Sequence, residues 1–229
     1  MKRTFYTVLT GAALIACLAG PAYADDDPQD KMCAEGSGQA AVDACTAVIQ
    51  SGRYTGADVE WAYYDRGTAL SNMDDYEKAI PDFDLALQLA PNDADAWGNR
   101  GNAYRALGQY ERAIQDLDRA LAIRPGAYDF NNRGSSYNGL ARYEDAIRDF
   151  DQSLALKPDF EGAYYNRALA HNGLKQYKLA IQDFDQVLRL DPRDSDTLLR
   201  RSVARRAVGD TAGADDDLAK ARAIDPKIR

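Results

Sequence analysis

The sequence predicts an all-α solenoid of stacked helical hairpins, and three observations carry that expectation. Prolines recur at 91, 125, 158, 192 and 226, at intervals of 34, 33, 34 and 34 residues, a period that marks a repeat array. Aligned on that period, the segments place Tyr63, Trp97, Phe130, Tyr164 and Leu198 in one column, and Gly67, Gly101, Gly134, Ala168 and Ser202 in another. Further columns hold Ala79, Ala113, Ala146, Ala180 and Ala214, then Phe83, Leu117, Phe150, Phe184 and Leu218. The third observation is a pair of apolar columns, Ile80, Ile114, Ile147 and Ile181 with Leu87, Leu121, Leu154 and Leu188. A hairpin of this size cannot bury its apolar face alone, so these columns are expected to stack each hairpin on the next.

Taken in order, residues 1–24 form the first element. Met1-Lys2-Arg3, an apolar run over 7–18, and Ala22-Tyr23-Ala24 ahead of Asp25-Asp26-Asp27 make a secretory signal peptide cleaved after Ala24. The run is too short to span a bilayer, so the expected product is soluble and periplasmic or secreted. A second reading takes Leu14-Ile15-Ala16-Cys17 as a lipobox with Cys17 lipidated. Small residues followed by acids are the cleaner terminus, and ordinary cleavage is the reading adopted.

Residues 25–59 are expected to cap the array. Ala41-Val42, Cys45 and Val48-Ile49 repeat the spacing of Ala79-Ile80, Phe83 and Ala86-Leu87. Residues 38–51 thus predict the second helix of a truncated repeat, with a short partner near 30–35. Once the leader is removed, Cys33 and Cys45 are the only thiols. In an oxidising compartment they read as one disulfide; the alternative is an unlinked buried pair.

Five repeats follow, at 60–93, 94–126, 127–160, 161–194 and 195–228. Small residues such as Gly101 and Ala113 let paired helices approach, while the aromatic and Leu/Phe columns fill the space between them. Proline ends each second helix, and Asn92, Asp93, Asp159 or Ser195 is placed to cap the next first helix. In the last repeat the isoleucine and leucine slots become Asp215 and Arg222, as a terminal capping repeat requires.

These columns resemble the tetratricopeptide repeat family, most fully over 97–125, from Trp97, Gly101 and Tyr104 through Gly108-Gln109-Tyr110 to Ala113, Leu117 and Pro125. The resemblance covers 60–228 and implies a right-handed solenoid whose first helices line a concave face that holds extended peptides. Carried over position by position, the groove residues are Trp61, Tyr64, Asp65, Asn99, Asn102, Arg105, Asn132, Asn138, Tyr165 and Asn166. Thr68, Tyr128, Asn131, Ser135, Leu169 and Asn172 are their inward neighbours, with a further acid at Asp95 and a further cation at Arg206. An amide both donates and accepts, so the row at Asn99, Asn132 and Asn166 suits a peptide backbone of any sequence; a purely structural row is the other reading. Groove lysines, with which some family members grip C-terminal carboxylates, are missing where Tyr64 and Gly98 stand.

Arg66, Arg100, Arg133, Arg167 and Arg201 occupy a slot where the family usually has leucine. Asp82, Asp116, Asp149, Asp183 and Asp217 recur opposite them, with Asp84, Asp118, Asp151 and Asp185 two residues further on. An ion pair within each hairpin follows. Groups that repeat with the fold are structural, whereas catalytic groups are singular. His171, the one histidine, falls in the column of Tyr104 and Tyr137 and is expected to pack.

No metal spacing, phosphate loop or nucleophile elbow stands out. The expectation is no enzyme and no cofactor. A net charge of −8 argues against nucleic acid. The sequence therefore predicts a non-catalytic scaffold of the cell envelope that binds a protein or peptide segment. The alternative is an envelope glycan or muropeptide stacked on Trp61, Tyr64, Tyr128 and Tyr165.

Overall fold

The computed structural model describes residues 27–228; the expected leader at 1–24 and Cys17 lie outside the described residues. Two cap helices, α1 (Pro28–Glu35) and α2 (Gly38–Ser51), are followed by a 3-10 turn at Gly56–Val59. Five hairpins succeed them: α3 (Glu60–Asn72) with α4 (Tyr76–Leu89), α5 (Ala94–Ala106) with α6 (Tyr110–Ile123), and α7 (Ala127–Gly139) with α8 (Tyr143–Leu156). The last two are α9 (Glu161–Gly173) with α10 (Tyr177–Leu190), and α11 (Ser195–Ala207) with α12 (Thr211–Ile224). Among the described residues there is no strand.

Each second helix buries the same stripe. In α6 it is Ala113, Asp116, Leu117, Ala120 and Leu121, the three-and-four spacing of one helical face. Glycine lets the first helix come close at three of the repeats, where Gly67 faces the Phe83 ring, Gly101 faces Leu117 and Gly134 faces Phe150. A Cβ on Gly134 would stand 2.7 Å from the Phe150 ring, and one on Gly101 would stand 2.8 Å from Leu117 Cγ. The chain reverses between paired helices through one left-handed residue, at Asp74, Gly108, Ala141, Lys175 and Gly209. Glycine adopts that conformation freely, and the other three carry some strain there.

Capping departs in part from expectation. Asp93 accepts from the backbone N–H groups of Asp95 and Ala96, and Asp194, the residue before Ser195, does the same for Asp196 and Thr197. Phe160, not Asp159, stands at the start of α9 and makes no side-chain cap.

The leucine column is buried throughout, from Leu87 to Leu188. The isoleucines are half-buried and reach forward: Ile80 packs on Tyr104, Ala113 and Leu117 of the following repeat, and Ile147 on a cluster that includes Ala170. Val42 of the cap does likewise against Leu70, Ala79 and Phe83. Asp215 and Arg222 are exposed, so the last described hairpin presents a polar face at these slots.

The arginine ladder is present in every hairpin and extends further than the sequence suggested. Arg133 Nε and Nη2 donate to the two oxygens of Asp149 at 2.8 and 2.7 Å, while Nη1 donates to Asp118 of the preceding repeat at 2.7 Å. Arg100, Arg167 and Arg201 repeat this three-point grip, with Asp84, Asp151 and Asp185 as the cross-repeat partners. In the first hairpin, Arg66 Nη1 instead reaches the Thr46 hydroxyl of α2 at 3.1 Å. Thr46 stands in the cap at the position of Asp84, so the ladder also ties cap to array. The aromatic column lies against these arginines rather than filling the space between helices, as where the Arg100 guanidinium sits 4.7 Å from the Trp97 ring centroid.

Cys33 and Cys45 form a disulfide that joins α1 to α2. A second pin went unseen in the sequence. Asp30, 3% exposed, takes a bond from Arg53 Nη2 at 2.8 Å and one from the Tyr54 hydroxyl at 2.6 Å.

Candidate functional site

Successive first helices, α3, α5, α7 and α9, touch one another as well as their hairpin partners. Helices that crowd together lie on the inside of a curved stack, so they form its concave wall. Most of the sequence-predicted groove residues are half-buried on this wall. Trp61 is not. It is 7% exposed, packed with Cys33, Ala44, Cys45 and Val48, and its ring meets Tyr54 edge-on at 5.5 Å. The cap needs a large apolar side chain to cover its disulfide, and Trp61 is drawn into that core and out of the groove.

The remaining aromatics are also engaged. Tyr64 packs on Phe83 at 6.2 Å and its hydroxyl accepts a bond from Asn99 at 3.1 Å. Tyr165 lies 6.2 Å from Phe184 and donates its hydroxyl to Asp196; burial and that bond push its phenol up to about 12. Tyr128 is exposed, held edge-on to Phe160 at 4.9 Å and bonded by Lys157 at 2.7 Å.

Asn99, Asn138 and Asn166 bridge repeats, whereas Asn132 does not. Asn99 reaches back to Tyr64 and Thr68 of the preceding first helix, and Asn166 donates to Asn131 at 3.0 Å. Asn132 accepts from Asn131 at 3.4 Å, and Asn138 donates to the Asn166 carbonyl at 2.9 Å. Each of these amides thus has a structural task of its own.

What lacks partners forms a different column. Four buried side-chain atoms among the described residues have no hydrogen-bond partner: Glu60 Oε1, Ser71 Oγ, Asn138 Oδ1 and Asn172 Oδ1. Three of them, Ser71, Asn138 and Asn172, fall at one repeat position in the last turn of the first helix. Arg105 and Arg206 complete that column. Asn138 and Arg105 line a hollow of about 390 Å³ with Ser135, Asn166, Tyr110 and Tyr143. Asn172 lines a second of about 240 Å³ with Asp196, Leu199 and Arg200. The sequence does not mark Ser71, Tyr110 or Tyr143 as groove residues. The repeat alignment does put Ser71 in the column; the two tyrosines start second helices, and only folding brings them to the groove.

Charge is unevenly spread along the wall. Burial, with Glu60 nearby, pushes the Asp65 carboxyl up to about 7, and burial with Asp95 pushes Asp129 to about 6. Carboxyls thus crowd together at two places on the wall, Asp65 with Glu60 and Asp129 with Asp95, the second beside Arg124, which pairs with Asp95. Asp129 also occupies the space over Gly98, where an added Cβ would come within 2.6 Å of its Oδ1. Arg105 is the converse case, a guanidinium held below its ordinary value by burial.

His171 is buried, with Nδ1 2.7 Å from Gln176 Oε1. Among the described residues, no helix is long and apolar enough to cross a membrane, and no group of three or more His, Cys, Asp or Glu side chains is placed to hold a metal ion.

Models of the tetratricopeptide repeat family match residues 72–135, 130–160 and 162–194. Among solved structures, MamA residues 41 to the end from Desulfovibrio magneticus RS-1 is similar at a TM-score of 0.69 and 21% identity, covering 75% of this chain and 98% of that one. YrrB, described as a TPR protein with an unusual peptide-binding site, is similar at a TM-score of 0.65 and 21% identity, covering 81% and 94%. A search of curated protein sequences finds no match. At such identities the structural likeness speaks for the fold, and it agrees with the family matches, which together span more than half of the sequence. The repeating columns, the stacked hairpins and these matches agree: the chain belongs to the tetratricopeptide repeat family.

Proposed function

We propose that this protein is a non-catalytic scaffold of the cell envelope, exported with loss of residues 1–24, that holds an extended peptide or protein segment along its concave wall. The observation that carries the reading is the column of unpartnered acceptors at Ser71, Asn138 and Asn172. Buried polar groups are nearly always satisfied, and an unmade bond costs about 1–3 kcal/mol. A peptide backbone supplies N–H donors at regular intervals along such a wall. The disulfide fits an oxidising compartment, and YrrB offers the precedent of peptide binding on this fold. Sugar stacking has less support, since Trp61 is buried and Tyr64 and Tyr165 are bonded through their hydroxyls.

Removing Asn99, Asn132 and Asn166 together would confound binding with stability, because two of them bond across repeats. A plug is cleaner. Ser135→Trp fills the hollow and removes none of the hydrogen bonds described above. Fluorescein-labelled random decapeptide pools should bind the wild type saturably by anisotropy and lose binding to Ser135→Trp, with helical circular dichroism unchanged. Binding that survives the plug, or none by any pool, removes the proposal.

A further inference from the structure

We infer that the hollow between α5, α7 and α9 is a subsite for a carboxylate-bearing residue of the peptide, with Arg105 taking the carboxylate and Asn138 a neighbouring backbone N–H. This rests on the groove reading above and specifies what the groove selects.

Arg105 stands apart from the other half-buried arginines. Those of the ladder each grip an aspartate through two nitrogens, and Arg53 and Arg205 reach acids as well. Arg105 instead donates Nε and Nη2 to one neutral oxygen, Asn102 Oδ1, at 3.2 and 2.8 Å. No Asp or Glu of the described residues forms an ion pair with it, in a chain whose net charge is −8. A desolvated guanidinium without a counter-charge is costly, and a carboxylate matches its planar fork of donors. Burial already weakens its hold on its proton, so an anion in the hollow would relieve a strain that water relieves only in part.

Asn138 narrows the ligand class. Its Nδ2 is committed to the Asn166 carbonyl at 2.9 Å, and its Oδ1 is buried with no donor. The hollow thus presents an unanswered cation and an unanswered acceptor together. A small inorganic anion answers the first only. A peptide residue bearing a carboxylate answers both, since its own or the next backbone N–H lies a few bonds away. The walls are fixed in advance: a Cβ on Gly139 would stand 2.5 Å from the Tyr110 ring, and one on Gly173 would stand 2.5 Å from the Tyr143 ring. Each tyrosine therefore lies flat against a glycine of the next first helix, and the apolar walls strengthen a charged contact made between them.

The test uses decapeptide pools, acetylated and amidated at their ends, whose central residue is fixed as Glu or as Gln, with a third, Gln-centred pool left with a free C-terminal carboxylate. Anisotropy is read for wild type, Arg105→Gln, and Arg119→Gln as an exposed-charge control on α6. A charge-assisted bond of this kind corresponds to about a tenfold preference or more. The amidated Glu pool should bind wild type and Arg119→Gln about tenfold more tightly than the amidated Gln pool. In Arg105→Gln that preference should disappear, while the unfolding midpoint holds because no carboxylate is stranded. If the preference instead goes to the pool with the free terminus, and Arg105→Gln abolishes it, the carboxylate is that of a chain end. Equal binding of all three pools to wild type overturns the inference and leaves the groove reading standing. Failure of every pool to bind removes both.

Discussion

Arg133 shows how one residue type can take over a task the fold usually gives to another. Leucine in its slot would bury apolar surface; arginine instead ties Asp149 of its own hairpin to Asp118 of the one before. Asp149 is nearly buried and Asp118 about half exposed, so the first bond carries the energetics and the second mostly orients. Arg133→Leu should lower stability by about 3–5 kcal/mol, because it strands Asp149. The paired change Arg133→Leu with Asp149→Leu should recover most of that loss, since well-packed apolar groups often replace a buried ion pair at little cost. Urea unfolding checks both, and an Arg133→Leu midpoint equal to wild type would show that the ladder bears no load. The recurrence of arginine and aspartate was plain in the sequence. That each arginine would also cross to the preceding repeat was not, because nothing in a one-dimensional period says which neighbouring hairpin a side chain faces.

At the scale of elements, the cap is expected to be the first unit to open. Helix α1 is eight residues long, too short to persist without tertiary support. The Cys33–Cys45 bond and the buried Asp30 with Arg53 and Tyr54 supply that support. Closing the loop is worth about 3 kcal/mol on the chain-entropy account. Reduction should therefore speed amide exchange in α1 and α2 first and leave α5 to α10 protected, and Asp30→Ala should deepen the loss in the reduced protein. Uniform protection after reduction would contradict this. The helical character of 38–51 was legible from its match to the second-helix columns. The ion cluster was not, since Asp30 and Arg53 share no repeat position and meet only because α1 folds back on α2.

Across the whole molecule, stacking proceeds in one direction, and its surface changes at the last described hairpin. Val42 starts the series on the cap, the isoleucine and leucine columns continue it, and Asp215 and Arg222 present charge to water at the same slots of the last described hairpin. Restoring the apolar slots with Asp215→Ile and Arg222→Leu should expose a sticky end and produce concentration-dependent self-association by light scattering. A variant that associates no more than the wild type would mean the terminal face is closed by other means.

The sequence by itself determined the hairpin, its period, the stacking columns and the polar slots of the last described hairpin, because each repeats the same local burial problem and the solution is written at the same spacing every time. Tertiary structure alone decided what the concave wall offers. Trp61 left the groove for the cap core, most of the amide row turned out to brace neighbouring repeats, and two tyrosines from second helices closed around Arg105. Those outcomes depend on which side chains from different repeats compete for one volume and one set of hydrogen bonds, and such competition is settled in space after the chain has stacked.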